Sequence, residues 1–160
     1  MDRLIYESAD ETQTDALGAA LAEVLPRGTV VALCGTLGAG KTRLVQAIAE
    51  ACGLDRRNVT SPTFVLVQEH HGRRTIYHLD AYRLNSPDEF LDLGAEEYFQ
   101  TDGLVLIEWA DRVTDCLPAD RLDIQVEVAG DTVRRFEITA HGPRCVEALE
   151  DLAATLGQRM

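Results

Sequence analysis

The stretch Cys34-Gly35-Thr36-Leu37-Gly38-Ala39-Gly40-Lys41-Thr42, written CGTLGAGKT, holds three glycines, one lysine and, directly after the lysine, a hydroxyl. Lys41 is the only lysine of a 160-residue chain whose other 14 basic residues are arginine. The spacing Gly35-x-x-x-x-Gly40-Lys41-Thr42 is that of a loop that cradles phosphate. Glycine lets such a loop turn with positive φ and bring backbone N–H groups against phosphate oxygens. A helix opening at Lys41 would add its unpaired N-terminal amides and the positive end of its dipole. A compact ammonium on a flexible stem reaches several oxygens from inside a tight bend, where a planar guanidinium does not fit. Average composition produces this pattern by chance in only roughly 0.5% of chains this long, so nucleotide binding is the expectation.

The flanks agree with that reading. Thr29 to Leu33 is a continuous apolar run, as in a strand buried on both faces. After the loop, Leu44, Val45, Ile48, Ala51 and Cys52 mark one helix face, and Gly53 suits its end. Upstream, Leu4 to Glu7 reads as a short strand, and Ser8-Ala9-Asp10-Glu11 has the form of a capping box. Leu17, Ala20, Leu21 and Val24 follow at helical spacing until Pro26-Arg27-Gly28. Downstream, Thr63 to Glu69 and Thr75 to Asp80 predict two strands with a turn at His71-Gly72. Ser86-Pro87-Asp88-Glu89 opens a short helix that Gly94 ends. Leu104 to Glu108 is another buried strand, Leu122 to Val128 and Val133 to Thr139 flank a turn at Gly130-Asp131, and a helix spans 143 to 156. One α/β domain over residues 1–160 is expected, its sheet partly antiparallel and helices on both faces.

Bulk composition narrows the function classes. A net charge of −12 argues against a broad nucleic-acid footprint, so an anionic ligand must be held by a local device. Any RNA would be presented by another protein. No apolar run approaches the length of a membrane span, and the N-terminus carries no apolar signal core, so a cytoplasmic location is expected. Cys34, Cys52, Cys116 and Cys145 have no metal-ligand spacing and read as reduced thiols.

Hydrolysis needs a metal carboxylate and a positioned water besides the loop. Leu104-Val105-Leu106-Ile107-Glu108 is four apolar residues and then an acid, which would face the loop from the strand's carboxyl end. In His78-Leu79-Asp80-Ala81-Tyr82-Arg83, His78 and Asp80 share a face if the segment is extended. Asp80 could orient water or hold the hydration shell of Mg²⁺, or pair with Arg83, or cap a turn. His78 alone reads as a hydrogen-bonded core histidine. Trp109 is either an amphipathic core anchor or a neighbour of the nucleotide. Thr60-Ser61-Pro62-Thr63-Phe64 is either a mobile segment sensing a γ-phosphate or a Pro-stiffened turn.

Taken in order and spacing, GTLGAGKT, SPTFVLV, YHLDAYRL and LIEW resemble the TsaE (YjeE) family of bacterial ATPases. That family is needed for the threonylcarbamoyl modification of adenosine beside the anticodon of tRNA. The resemblance implies a P-loop NTPase fold, a three-layer α/β/α sandwich with a mixed, mostly parallel sheet. It implies ATP with Mg²⁺, hydrolysed slowly unless partners are present. Thr36, Leu37, Gly38, Ala39, Gly40, Lys41 and Thr42 would hold the phosphates, and Thr42 and Glu108 the metal. Lys41, Asp80 and Glu108 would carry catalysis, and Ser61 to Phe64 match a switch-like segment. Glu11 and Thr14 match the region near base and ribose, with Arg134 or Arg135 approaching the nucleotide. Thr36 stands where the family often carries an acid. The implied partners are the TsaB–TsaD pair, with tRNA reached only through them and no membrane.

Three rivals stay open at this level. A small P-loop kinase of a nucleoside or metabolite needs an Arg-rich lid, and neither Arg56-Arg57 nor Arg73-Arg74 forms an evident one. A GTPase lacks its guanine-reading motif, since no second lysine exists. A nucleotide-dependent binding module would need no chemistry at Asp80 or Glu108.

Overall fold

The computed structural model describes residues 2–36, 38–60 and 67–158. Seven strands form one sheet: β1 (Arg3–Ser8), β2 (Val30–Gly35), β3 (Val67–His71), β4 (Thr75–Asp80), β5 (Leu104–Glu108), β6 (Arg121–Val128) and β7 (Arg134–His141). Its helices are α1 (Glu11–Val24), α2 (Lys41–Ala51), α3 (Pro87–Asp92), α4 (Ala95–Phe99) and α5 (Pro143–Thr155). Short 3-10 segments lie at Arg56–Asn58 and Ala110–Cys116. Strand order is β1-β7-β6-β2-β5-β4-β3.

The four central strands, β6, β2, β5 and β4, run parallel, and antiparallel pairings add β7 and β1 on one side and β3 on the other. This is a mixed sheet with a parallel core, as expected. Alternation along each strand supplies two apolar faces. Val31 and Leu33 of β2 with Leu104 and Leu106 of β5 pack under α1, α2 and α5. Val30 and Ala32, with Val105 and Ile107, pack under α3, α4 and the 110–116 segment. The central strands are therefore buried on both faces, which is why they read as unbroken apolar runs.

Several local details differ from expectation. The cap of α1 is Asp10, whose carboxylate accepts from Gln13 N, while Gln13 Oε1 accepts from Ala9 N. Ser8 instead ends β1 fully buried, its hydroxyl donating to Asp10 O and meeting Thr14 Oγ1 at 2.7 Å. The β3–β4 turn is Gly72-Arg73-Arg74, because β3 continues through His71. A Cβ at Gly72 would stand 2.4 Å from Cys52 O, so the close approach of this turn to α2 requires glycine. Arg73 donates to Ala51 O, and Arg74 donates to Ala22 O and Pro26 O at 2.7 and 3.1 Å. Both arginines thus satisfy carbonyls at the C-terminal ends of α1 and α2, where cations are favoured. Gly94 does follow the end of α3 as expected, its N–H donating to Leu91 O at 3.0 Å, but at φ 77° it also caps α4, a helix that was not anticipated.

Helices α1 and α2 cross closely at Gly18, where a Cβ would stand 2.4 Å from Ala47 Cβ and 2.9 Å from backbone atoms of Ala47 and Ile48. Gly18→Ala gains about 1 kcal/mol of helix propensity but overpacks backbone, which costs about 1–3 kcal/mol. A net loss of up to about 2 kcal/mol is expected in urea denaturation. Raised stability would contradict this crossing.

Candidate functional site

Parallel register brings the chemistry together. Leu33 pairs with Glu108 across β2–β5, and Asp80 pairs with Glu108 across β4–β5. The carboxyl ends of these three strands are thus level, and the Gly35–Thr42 bend follows β2, beside β5. Gly35 adopts φ 147°, and a Cβ there would stand 2.5 Å from Val126 O, so the bend leaves β2 where only glycine fits. Gly40 at φ 114° caps α2, and as glycine it has no side chain to take the cap hydrogen bond. The amino end of an 11-residue helix is therefore left for another acceptor.

Lys41 is buried, 5% exposed. Its Nζ donates to Gly35 O at 2.7 Å and Thr36 O at 2.9 Å, and sits 4.0 Å from the centre of the Trp109 ring. Burial pulls the ammonium below its ordinary pKa, opposed by Glu108, Asp111, Cys34 and Asp80. The cation is held against its own loop by carbonyls, a π face and the field of nearby carboxylates.

Thr42 Oγ1 donates to Glu108, 2.9 Å from Oε1 and 3.0 Å from Oε2. Giving its proton to the carboxylate leaves the hydroxyl's lone pairs free to face a cation. Among the described residues no cluster of three or more His, Cys, Asp or Glu side chains could hold a metal. A hydroxyl and one carboxylate suit a hard ion that takes its other ligands from water and phosphate, as Mg²⁺ does.

Asp80, 2% exposed, accepts from Tyr82 N at 2.8 Å, so it does cap a turn, and it does so beside Glu108. His78 is fully buried and donates Nε2–H to Glu108 Oε2 at 2.5 Å. Trp109 takes φ 59°, the left-handed region, which among the described non-glycine residues it alone occupies. That turn lays its ring against Tyr82, with centroids 4.8 Å apart, and under Lys41. Trp109 also packs on the second apolar cluster, as expected of a core anchor, while its ring lies beside Lys41.

Beside the loop lies a cleft of about 560 Å³ between Asp10, Glu11 and Thr14, the glycines Gly38 and Gly40, and the β6–β7 turn. Glu11 is exposed and lies 3.6 Å from Arg43, while Thr14 is buried against Ser8. Arg134 lines this cleft, whereas Arg135 points to the other face and meets Glu127. Arg43, Asp131 and Thr132 also line it and were missed. Arg43 follows Thr42 directly and was legible as a neighbour of the motif; Asp131 and Thr132 reach the loop only through the pairing of β6 with β2. Thr36, Gly38, Ala39 and Gly40 form the bend as expected, while Leu37 and Ser61 to Phe64 lie outside the described residues.

The four cysteines are free thiols. Burial, reinforced by Asp111, pushes Cys34 up to about 11. Burial also raises Cys52, Cys116 and Cys145. Thiolate is the reactive form, so alkylation of Cys34 by iodoacetamide at about pH 8 is expected roughly a hundredfold slower than for free cysteine. Rapid labelling of Cys34 in the folded protein would contradict this environment.

Among the described residues no helix is long and apolar enough to cross a membrane. Residues 8–136 match the family model described as threonylcarbamoyl adenosine biosynthesis protein TsaE. The Bacillus subtilis (strain 168) tRNA threonylcarbamoyladenosine biosynthesis protein TsaE is 38% identical over 154 residues, covering 96% of each chain. Its Treponema pallidum (strain Nichols) counterpart is 39% identical over 136 residues, covering 85% of this chain and 98% of the relative. The crystal structure of Bacillus subtilis YdiB superposes with a TM-score of 0.80 at 33% identity, covering 95% of both chains. With its family model spanning most of the chain and these relatives matched nearly end to end, the protein belongs to the TsaE family.

Proposed function

We propose that this protein is a Mg²⁺-dependent ATPase that serves the threonylcarbamoyl modification of adenosine next to the anticodon of tRNA. It acts with the TsaB–TsaD pair, in the cytoplasm, and meets tRNA only through those partners. The whole chain, residues 1–160, works as one P-loop NTPase domain, a three-layer α/β/α sandwich. The observation that carries this reading is the arrangement of Lys41, Thr42 and Glu108 around a glycine-capped helix start.

In this reading the triphosphate lies in the Gly35–Thr42 bend, against the amides of Thr36, Leu37, Gly38, Ala39 and Gly40. Lys41 exchanges its two carbonyls for phosphate oxygens, so its charge stays compensated in both states. Thr42 and Glu108 hold the metal, which when bound neutralises charge on the phosphates. Asp80 lies one strand over from Glu108 and orients the attacking water. Glu11, Thr14 and Arg134 lie toward the base and ribose, in the cleft beside the loop. An acidic protein holds its anionic ligand with backbone amides and one buried lysine rather than with surface charge.

The kinase alternative needs arginines free to close over the phosphates. Arg56 is engaged by Glu50 and Asp15, Arg57 by Asp55, and Arg73 and Arg74 by helix-end carbonyls. Arg56, Arg73 and Arg74 are thus committed to holding the fold, which favours hydrolysis.

Phosphate release from Mg·ATP should be slow for the protein alone and rise when the TsaB–TsaD pair is added. Indifference to the pair, or a phosphorylated small acceptor, would overturn the assignment. Lys41→Ala should abolish nucleotide binding followed through Trp109 fluorescence, because the loop loses its only mobile cation. Asp80→Ala should lower turnover about a hundredfold while affinity holds. A matched loss of both would remove Asp80 from the chemistry.

A further inference from the structure

The link between His78 and Glu108 is not needed for the phosphate loop and does not follow from its motif. His78 stands two residues before Asp80 on the same face of β4, opposite Leu106 of β5. Its imidazole is 0% exposed, and the Glu108 side chain it meets is 3% exposed. Against a carboxylate the ring nitrogen must be the donor, so Nε2 carries the hydrogen that reaches Oε2 at 2.5 Å. Nδ1 is buried and has no partner among the described residues. A polar ring is a poor choice for a site where the described residues leave half of its hydrogen-bonding capacity unused. An apolar side chain would fill this layer of the sheet, between Ile76 and the strand end, without that cost. What the imidazole adds is one directional donor aimed at one oxygen.

That donor decides how Glu108 presents itself. Oε2 is taken by His78, and the Thr42 hydroxyl spans both oxygens at 2.9 and 3.0 Å. Among the described residues Oε1 therefore accepts from Thr42 alone. We propose that His78 is the positioning residue of the metal site: by anchoring Oε2 it fixes the rotation of the Glu108 carboxylate and leaves Oε1, the oxygen it does not engage, for the cation held beside Thr42. This rests on the reading that Thr42 and Glu108 hold Mg²⁺. His78 itself touches neither nucleotide nor metal in this proposal. Partners that orient a metal-holding group typically tune metal affinity about 10–100-fold, which sets the size of effect to look for.

Two variants separate positioning from packing. His78→Gln keeps an N–H near the Nε2 position, and His78→Leu fills similar volume with no donor. Calorimetric titration of each full-length variant with ATP, in Mg²⁺ and in EDTA, isolates the metal-dependent part of affinity. The leucine variant is expected to lose about tenfold or more of the Mg²⁺-dependent affinity, with binding in EDTA unchanged and the glutamine variant largely restored. Equal losses with and without metal, or equal losses in both variants, would make His78 a packing residue and overturn the proposal.

A second readout uses neither nucleotide nor metal. Long-range ¹⁵N–¹H spectra of the free protein should give His78 as the Nε2–H tautomer, with a signal that moves in Glu108→Gln. An Nδ1–H tautomer, or a signal blind to that substitution, would also overturn it. If the wild type binds ATP with no Mg²⁺ dependence while the tautomer is as expected, the ATPase reading fails and the metal role of His78 falls with it.

Discussion

A buried ammonium must be compensated at every moment, and the architecture around Lys41 is organised by that requirement. Its Nζ has two carbonyls, an indole face and nearby carboxylates, in a position 5% exposed. Each of these depends on a different element. The carbonyls come from the turn that Gly35 permits, the indole from the left-handed residue after β5, and Glu108 and Asp80 from neighbouring strands. Shift β5 by one residue against β2 and Glu108 would turn to the opposite face of the sheet. The apolar pairing of these strands is what places charge at the loop.

Much of this was legible because the chemistry is local in sequence. Glycine and lysine spacing announced the Gly35–Thr42 bend, and unbroken apolar runs announced strands covered on both sides. The acid ending β5 was found for the same reason. What could not be found depends on distant pairing. Nothing in Asp131 or Thr132 signals proximity to the loop; they arrive because β6 lies beside β2 and carries its hairpin to that edge. The choice between Arg134 and Arg135 is a matter of strand parity, visible only once β7 is paired. The Ser8 capping box failed because burial outbid local propensity: Ser8 belongs to β1, and Asp10 was free to cap.

The same division explains how the arginines are used. Fourteen are spread over an acidic chain, and those singled out as lid candidates are bound to carbonyls or carboxylates. Arg73 and Arg74 tie the β3–β4 turn to the ends of α1 and α2, clamping the layer that carries the loop's helix. A wide planar donor suits that work, whereas the bend needs a small cation on a mobile stem. The one lysine stands apart, and two carbonyls, an indole face and nearby carboxylates make its burial tolerable.

The central claim is that this buried cation is a stand-in arrangement, released when phosphate arrives. A crystal structure with Mg²⁺ and a non-hydrolysable ATP analogue tests it directly. The account predicts phosphate oxygens inside the Gly35–Thr42 bend, with Lys41 Nζ drawn off the carbonyls of Gly35 and Thr36 onto them. A ligand seated elsewhere, with Lys41 still on its own backbone, would contradict it.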